Sequence, residues 1–373
     1  MTIERFSLSG IRNIQDVSIN AHGRIIFFQG RNGSGKTSLI EGLYLLGRGS
    51  SFRSTELDHA INFKKDSFVC FAQLSDGRKI GVSRDKTTKV TRVRLDGEPT
   101  KSLSELAAQL PLLLVTPLTF DLINGSPSIR RRFLDWGVFH VEPEYKMVWQ
   151  RWRKLLLQRN KLLKNGRMSD SEIKPWTKQY IDNSEQIDRY RSKFFERLLE
   201  VMKSNLEEGS SFTKELAEQT TFRYDKGWSK HSSLEEQLVR SFETDLKRGF
   251  TSMGPHKADL RFSCHGISAK EVLSRGQQKV LITHLLLAQL ELLKSMRGLN
   301  CVVLIDDLGA ELDESNQRQL ISTLLEKEAQ IFTTVVEKDQ MFVLNDFLKE
   351  QYQTLMFHVE QGHVTPITLG IDG

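Results

Sequence analysis

The sequence predicts an α/β protein whose main domain is assembled from both ends of the chain, with a mainly helical domain inserted between them. Three observations carry that expectation. Strand-like and helix-like segments alternate near the start of the chain and again beyond Gly254. A glycine-rich loop joins an apolar strand to an amphipathic helix at Gly30. The middle of the chain changes to long, charged runs of helical period. The expected division is 1–116 for the first part of the main domain, 117–252 for the insert and 253–373 for the second part.

The first part reads as strands at Ile3 to Leu8, Val17 to Ile19, Arg24 to Gln29, Phe68 to Leu74, Lys79 to Ser83 and Val90 to Leu95, with hairpin turns at Asp76-Gly77 and Asp96-Gly97. One helix interrupts them, because Leu39, Ile40, Leu43 and Leu46 recur at helical spacing after Lys36 and stop near Gly47 and Gly49. Pro111 to Thr116 reads as a short buried strand. In the insert, Tyr145 to Lys164 and Lys178 to Lys203 are amphipathic helices and strand signals are few. The second part follows with a strand Cys301 to Ile305, a helix Ser315 to Lys327, a strand Ile331 to Val336 and a last strand pair turning at Gln361-Gly362.

Composition sets outer bounds. Of 373 residues, 39% are hydrophobic and 27% charged, which suits a globular protein long enough for two domains. Glu4, Arg5, Arg12 and Asp16 break any apolar run at the start, so a secretory leader is not expected and the cytoplasm is the expected location. The most apolar helical stretch, near 281–293, is interrupted by Thr283, His284, Gln289 and Glu291, short of a membrane span. Cys70, Cys264 and Cys301 have no paired spacing and are expected to be buried thiols rather than a disulfide or zinc framework.

Gly30-Arg31-Asn32-Gly33-Ser34-Gly35-Lys36-Thr37 matches the P-loop pattern and lies between the apolar strand ending Phe27-Phe28 and a helix, where the mechanism needs it. Glycines let successive backbone N–H groups, backed by the helix dipole, face phosphate oxygens. Lys36 would neutralise the β- and γ-phosphates, and the Thr37 hydroxyl would ligate Mg²⁺. A nucleotide phosphate chain with Mg²⁺ is therefore the expected ligand, and ATP is the nucleotide only if the further motifs below name the class.

A P-loop alone leaves many families open, and the C-terminal third narrows them. Val302 to Asp307 is an apolar strand that delivers two carboxylates at its carboxyl end, where open α/β sheets hold their ligands. Asp306 is the candidate metal partner and Asp307 the candidate that orients or deprotonates the attacking water. Taken alone, paired aspartates at a strand end are most often turn or cap residues. Leu273-Ser274-Arg275-Gly276-Gln277 precedes a second amphipathic helix, which Ser274 can cap and at which Gly276 keeps the backbone open to an anion.

The order of these segments resembles the ABC ATPases: Walker A at 30–37, an LSGGQ-like signature at 273–277, Walker B ending at Asp306 and a D-loop from Ala310 to Asp313. The fold class this implies is an ABC-type, SMC-like P-loop ATPase domain with an inserted mainly helical domain. In that class the signature of one subunit covers the nucleotide held by Walker A of another, which implies a homodimer on ATP binding with Ser274, Arg275, Gly276 and Gln277 facing a γ-phosphate in trans. Several stretches, most of them outside these motifs, narrow the resemblance to the RecF family of bacterial recombination mediators: Gly10 to Ile14, Gly47 to Arg53, Arg131 to Gly137, Gly254 to Leu260 and Leu304 to Asp313. That family implies ATP-dependent binding of double-stranded, single-stranded or gapped DNA, weak ATPase activity and partnership with RecR and RecO, with no membrane. It adds Arg12 and Asp313 to the candidate nucleotide contacts.

Departures from the ABC pattern bear on activity. Asp307 stands where most relatives carry glutamate, one methylene longer, so slow hydrolysis is expected. Arg275 replaces a signature glycine. The strand ending at Val336 presents no switch histidine, and Thr333 or Thr334 stands in that place. Between Ser128 and Arg167 eleven basic residues face three acidic ones, a local excess of +8 against +6 for the whole chain. Arg130, Arg131, Arg132, Arg151, Arg153 and Lys154 are therefore the candidate DNA contacts, of the kind that grip phosphates without reading sequence, although a charged helix face is often merely solvated. His256 and Lys257 are weighed as DNA contacts or domain couplers against a purely structural role. The alternative function, the ATPase subunit of an ABC transporter, shares the core motifs; the basic insert and the missing histidine weigh against it.

Overall fold

The computed structural model describes residues 2–100, 102–165, 170–307, 309, 312–336 and 352–367. The chain divides into two compact units, Met1–Phe120 with Leu293–Gly373, and Asp121–Leu292.

The first unit holds two six-stranded sheets. The first sheet runs in the order β2-β1-β4-β5-β6-β7 and is antiparallel throughout, from β1 (Ile3–Ile11), β2 (Ile14–Asn20), β4 (Ser67–Leu74), β5 (Lys79–Asp85), β6 (Thr91–Leu95) and β7 (Glu98–Thr100). Its turns are the expected ones: Gly77 at φ 85° closes β4–β5, and Asp96-Gly97 at 53° and 89° closes β6–β7. The second sheet runs β15-β14-β3-β13-β12-β8, from β3 (Ile25–Gln29), β8 (Leu112–Val115), β12 (Val302–Ile305), β13 (Gln330–Val335), β14 (Thr354–Glu360) and β15 (His363–Pro366). All neighbours in it are parallel except the final hairpin.

Helix α1 (Lys36–Arg48) lies between the two sheets, and Leu39, Ile40, Leu43 and Leu46 bury against both. Phe6 of one sheet meets Phe28 and Phe332 of the other edge-on, with ring centroids 6.5 and 6.0 Å apart. Buried Gln330 links the sheets by hydrogen bonding: its Oε1 accepts from Ile3 N–H at 2.6 Å, and its Nε2 donates to the carbonyls of Ile3, Ala21 and Gly23. Helix α2 (Leu103–Gln109) completes the N-terminal half.

The second unit is mainly helical: α3 (Pro127–Val141), α4 (Tyr145–Asn165), α5 (Asp170–Glu207), α6 (Ser211–Gln219), α7 (Leu234–Arg248), α8 (Ala269–Val272) and the start of α9 (Arg275–Arg297). It also contains a sheet absent from the sequence expectation, β11-β10-β9, from β9 (Thr220–Asp225), β10 (Asp259–Cys264) and β11 (Ile267–Ser268). That sheet explains why 253–292 cluster with this unit rather than starting the second part of the main domain at 253. β10 pairs with β9 along its whole length, and Arg130 of α3 grips Asp259 of β10 through two hydrogen bonds, at 2.7 and 3.1 Å. Helix α10 (Glu314–Glu326) belongs to the first unit. Among the described residues no helix is long and apolar enough to cross a membrane, and the three cysteines are free and buried.

Arginines hold the second unit from within. Arg191, 1% exposed, donates to both oxygens of Asp135 at 2.8 and 3.0 Å and to the Pro255 carbonyl at 2.8 Å. Arg159, also 1% exposed, donates through one nitrogen to Asp245 at 3.3 Å and to the Thr251 hydroxyl at 2.6 Å. Removing one partner of such a pair strands a buried charge, which costs about 3–5 kcal/mol. All five tryptophans lie within 136–228, so their fluorescence reports this unit alone. Arg191→Ala is expected to lower its urea stability by about 3–5 kcal/mol in tryptophan-monitored unfolding; an unchanged midpoint would show the network to be dispensable.

Candidate nucleotide site

β3 ends at Gln29, and Gly30 to Gly35 turn the chain into α1. Gly33 and Gly35 stand at φ 79° and 119°, backbone that side chains rarely adopt. Gly30 is required for room, since a Cβ there would lie 2.2 Å from the Val359 carbonyl oxygen. The loop is held from two flanks. Asn13 Nδ2 donates to the Ser34 carbonyl at 3.1 Å and its Oδ1 accepts from Ser38 Oγ at 2.8 Å. The Gly362 N–H, in the β14–β15 turn, donates to that same carbonyl at 2.8 Å. Lys36 is buried, and its ammonium donates to the carbonyls of Gly30 and Arg31 at 2.7 and 2.9 Å. Burial draws its pKa below the ordinary lysine value, against the pull of Asp306 and Asp307.

Because β13 lies between β3 and β12, its carboxyl end separates the loop from the paired aspartates. Thr334 fills the gap. Its hydroxyl donates to Asp306 Oδ1 at 3.1 Å and accepts from the Asp307 N–H at 2.8 Å. Thr37 Oγ1 donates to the same Asp306 oxygen at 3.1 Å. Of the two threonines weighed from the sequence, Thr334 is therefore the one at the site, while Thr333 is buried with its hydroxyl unpartnered. Burial raises the Asp306 pKa above the usual carboxylate range, opposed by the hydroxyls of Thr37 and Thr334. Asp307 takes left-handed backbone at φ 59°, a strained position of the kind that clusters at functional sites.

These groups share one cleft of about 830 Å³ with Arg12, Asn32 and Arg53, within the size range of small-molecule sites. Arg12 enters from the β1–β2 turn. Its guanidinium donates to both oxygens of Glu41 at 2.8 Å and also to the His59 carbonyl. Glu41 is fully buried in α1 and also receives the Ser51 hydroxyl and, at 3.5 Å, Arg53. Glu41, Arg53 and Asn13 were not picked out from the sequence as individual site residues. The available signal was Glu41 itself, a carboxylate beside Ile40 on an inward helix face, which demands a buried cation.

The signature segment lies in the second unit. Ser274 Oγ accepts from the Gln277 N–H at 3.2 Å and Gln277 Oε1 accepts from the Ser274 N–H at 2.9 Å, a reciprocal capping box on α9. Ser274, Arg275 and Gly276 are exposed, and a Cβ on Gly276 would meet nothing nearer than Ser274 Oγ at 3.9 Å. The start of α9 is thus an open, anion-compatible helix terminus. Ala310 and Glu311 of the D-loop lie outside the described residues. Asp313 caps α10, accepting from the Asn316 N–H at 2.9 Å, which lowers its pKa. It does not line the cleft.

The family described as RecF/RecN/SMC N terminal domain matches residues 2–356. The chain belongs to this family. It is 51% identical over 373 residues to the DNA replication and repair protein RecF of Hahella chejuensis, covering 98% of this chain and all of that one. It is 39% identical to RecF of Pseudomonas entomophila, covering 98% of each. Among solved structures it is similar to the recombination mediator protein RecF bound to ATP, in the RecFOR pathway, with a TM-score of 0.83 and 22% identity over 98% of both chains. It is also similar to an SMC head bound to the C-terminal winged-helix domain of ScpA, with a TM-score of 0.57 and 12% identity. The ABC-type, SMC-like fold expected from the motifs is the one observed.

The candidate DNA contacts lie in the second unit and fall into two groups. Arg130 requires correction. It is 7% exposed, spent on Asp259 and on the carbonyls of Leu122, Ile123 and Gly125, so its guanidinium has no donor left at the surface for a phosphate. Arg131 is half-buried and donates to the Ala258 carbonyl at 2.8 Å. Arg132, Arg151, Arg153 and Lys154 are exposed, Arg153 lying 5.3 Å over the Trp149 ring. His256 has the structural role: its ring bonds the Thr251 carbonyl at 2.8 Å, and burial pushes its pKa down to about 4, leaving it neutral.

The cleft fits a magnesium nucleotide. Mg²⁺ takes one or two protein oxygens and completes its shell with phosphate and water, and Thr37 Oγ1 and Asp306 Oδ1 already stand 3.1 Å apart. Ser34 Oγ is buried in the loop without a hydrogen-bond partner, a hydroxyl that a phosphate oxygen would satisfy. Asp306→Asn checks the charge balance. A raised native pKa means the ionised carboxylate is penalised by folding above that pKa, and the penalty vanishes as pH falls through it. The variant is therefore expected to melt higher than wild type by calorimetry at pH 7 without nucleotide, with the gap closing on acidification. An equal or lower melting temperature at pH 7 contradicts it.

Proposed function

We propose that this chain is an ATP-gated DNA-binding protein of replication and recombinational repair, a weak ATPase whose two copies join when ATP is bound. The single observation that carries this reading is the split site: a phosphate loop with Lys36, Thr37 and paired aspartates in one unit, and an exposed, capped helix start at Ser274 in the other. A helix start that faces solvent and binds anions is the half-site a second subunit would need. Full-length relatives at 51% and 39% identity are DNA replication and repair proteins, which disfavours the transporter alternative.

In this reading Lys36 transfers its ammonium from the carbonyls of Gly30 and Arg31 to the β- and γ-phosphates, and the loop N–H groups bind the same oxygens. Thr37 and Asp306 would hold Mg²⁺, whose charge would offset that of the phosphates. Asp307 orients the attacking water, and its short side chain keeps hydrolysis slow. Ser274, Arg275, Gly276 and Gln277 of the second copy close over the γ-phosphate. ADP lacks that group, so hydrolysis releases the pair. Arg132, Arg151, Arg153 and Lys154 meet DNA phosphates without reading bases, and the recombination mediators RecR and RecO are the expected protein partners, in the cytoplasm.

Sedimentation with and without ATP tests the dimer. Lys36→Met is expected to lose both nucleotide binding and ATP-induced dimerisation. Ser274→Arg should bind ATP as wild type does yet remain monomeric; failure of that variant to bind ATP would refute assignment of the signature to the partner's nucleotide. Asp307→Asn should accumulate the ATP-bound dimer, with turnover reduced by about 10²-fold or more, the scale of a lost acid–base group.

A further inference from the structure

Phosphate chemistry accounts for one end of the cleft only. From Ser38 the wall continues through Asn13 and Arg12 to the turn Asn62–Lys65. That turn is firmly mounted. The Asn62 N–H donates to the Gly10 carbonyl at 2.8 Å, its Nδ2 donates to the Arg12 carbonyl at 2.6 Å, and its Oδ1 accepts from the Lys64 N–H at 2.8 Å. Lys65 then anchors the far side through its ammonium, bonding Ser9 Oγ at 3.0 Å, the Gln15 carbonyl at 2.8 Å and Asp16 at 2.7 Å. At the tip stands Phe63, 103% exposed and lining the same cleft.

An isolated exposed apolar side chain is common and needs no explanation. Here the ring is wholly free, its backbone is pinned on both sides, and it stands on the cleft wall beyond the groups that would hold a triphosphate. A nucleotide gripped by its phosphates at Lys36 and Thr37 extends its sugar and base past Ser38 and Asn13, toward this turn. We propose that Phe63 is the platform on which the base of the bound nucleotide stacks. The inference rests on the reading of the cleft as a nucleotide site and adds the element that holds the base. Stacking requires only a π face, which every base has, so this ring adds affinity without choosing between adenine and guanine. It costs little to order, because the turn is already rigid.

The test measures binding of ATP, GTP and inorganic tripolyphosphate to the full chain by calorimetry, with sedimentation alongside. Phe63→Ala is expected to weaken ATP and GTP by about tenfold each, at the lower end of what alanine substitution removes from a stacked base, and to leave tripolyphosphate unchanged. Phe63→Trp is expected to keep ATP affinity and to show quenching of the new indole by ATP but not by tripolyphosphate. Phe63→Ala binding ATP as wild type does overturns the inference, as does an equal loss of ATP and tripolyphosphate. So does normal ATP affinity with lost dimerisation, which would give the ring to a protein interface. Wild-type protein that binds neither ligand removes the nucleotide reading itself, a result distinct from all of these.

Discussion

The order of three parallel strands governs the rest. With β13 between β3 and β12, the phosphate loop and the two aspartates emerge at the same sheet edge, one strand apart. A single short side chain on the intervening strand can then reach both aspartates. The Thr334 hydroxyl donates to a carboxylate and accepts from a backbone N–H at once, something an isosteric valine cannot do. Thr37 reaches the same carboxylate oxygen from α1, so strand order and two hydroxyls set the position of Asp306 before any ligand arrives.

Around this edge the first unit carries buried charge, and Lys36 and Glu41 have their partners built in. Lys36 rests on two carbonyls of its own loop. Glu41 beneath the cleft is matched by Arg12 and Arg53. An unmatched charge in such a place would cost several kcal/mol, and these pairings hold Arg12, Lys36 and Arg53 on the cleft wall. Little rearrangement is then needed at the moment of binding, which is how preorganised sites gain affinity.

The sequence was most readable where one local rule decides the structure. Apolar runs and alternation in β1 through β6, the aspartate-glycine turns and the helical period of α1, α4 and α5 all depend on near neighbours, and the elements overlap the segments those patterns mark, α5 starting earlier at Asp170. The phosphate loop was legible for the same reason, as glycine spacing is a local demand. What was not legible is non-local. β9 is a six-residue strand between two helices whose partner, β10, lies more than thirty residues on. Its Thr220–Tyr224 run alternates as a strand would, but five residues between two helical runs are too few to decide against a helix end. Arg130 belonged to a run of three arginines, and only the fold shows that it points inward to Asp259 while Arg132 stays in water. The choice between Thr333 and Thr334 needed the register of β13 against its neighbours, and the role of Asn13 needed the β1–β2 turn brought against the loop.

The contact between the Gly362 N–H and the Ser34 carbonyl has a bearing on how the protein is made. A ribosome releases the glycine-rich turn long before the strands that flank β3 and the hairpin that braces the turn. Until then β3 has bare edges on both sides, the kind of surface that seeks other chains. A nascent chain must therefore keep that strand shielded until β13 and β14 have emerged, and it cannot complete its phosphate-gripping turn until the β14–β15 hairpin is in place.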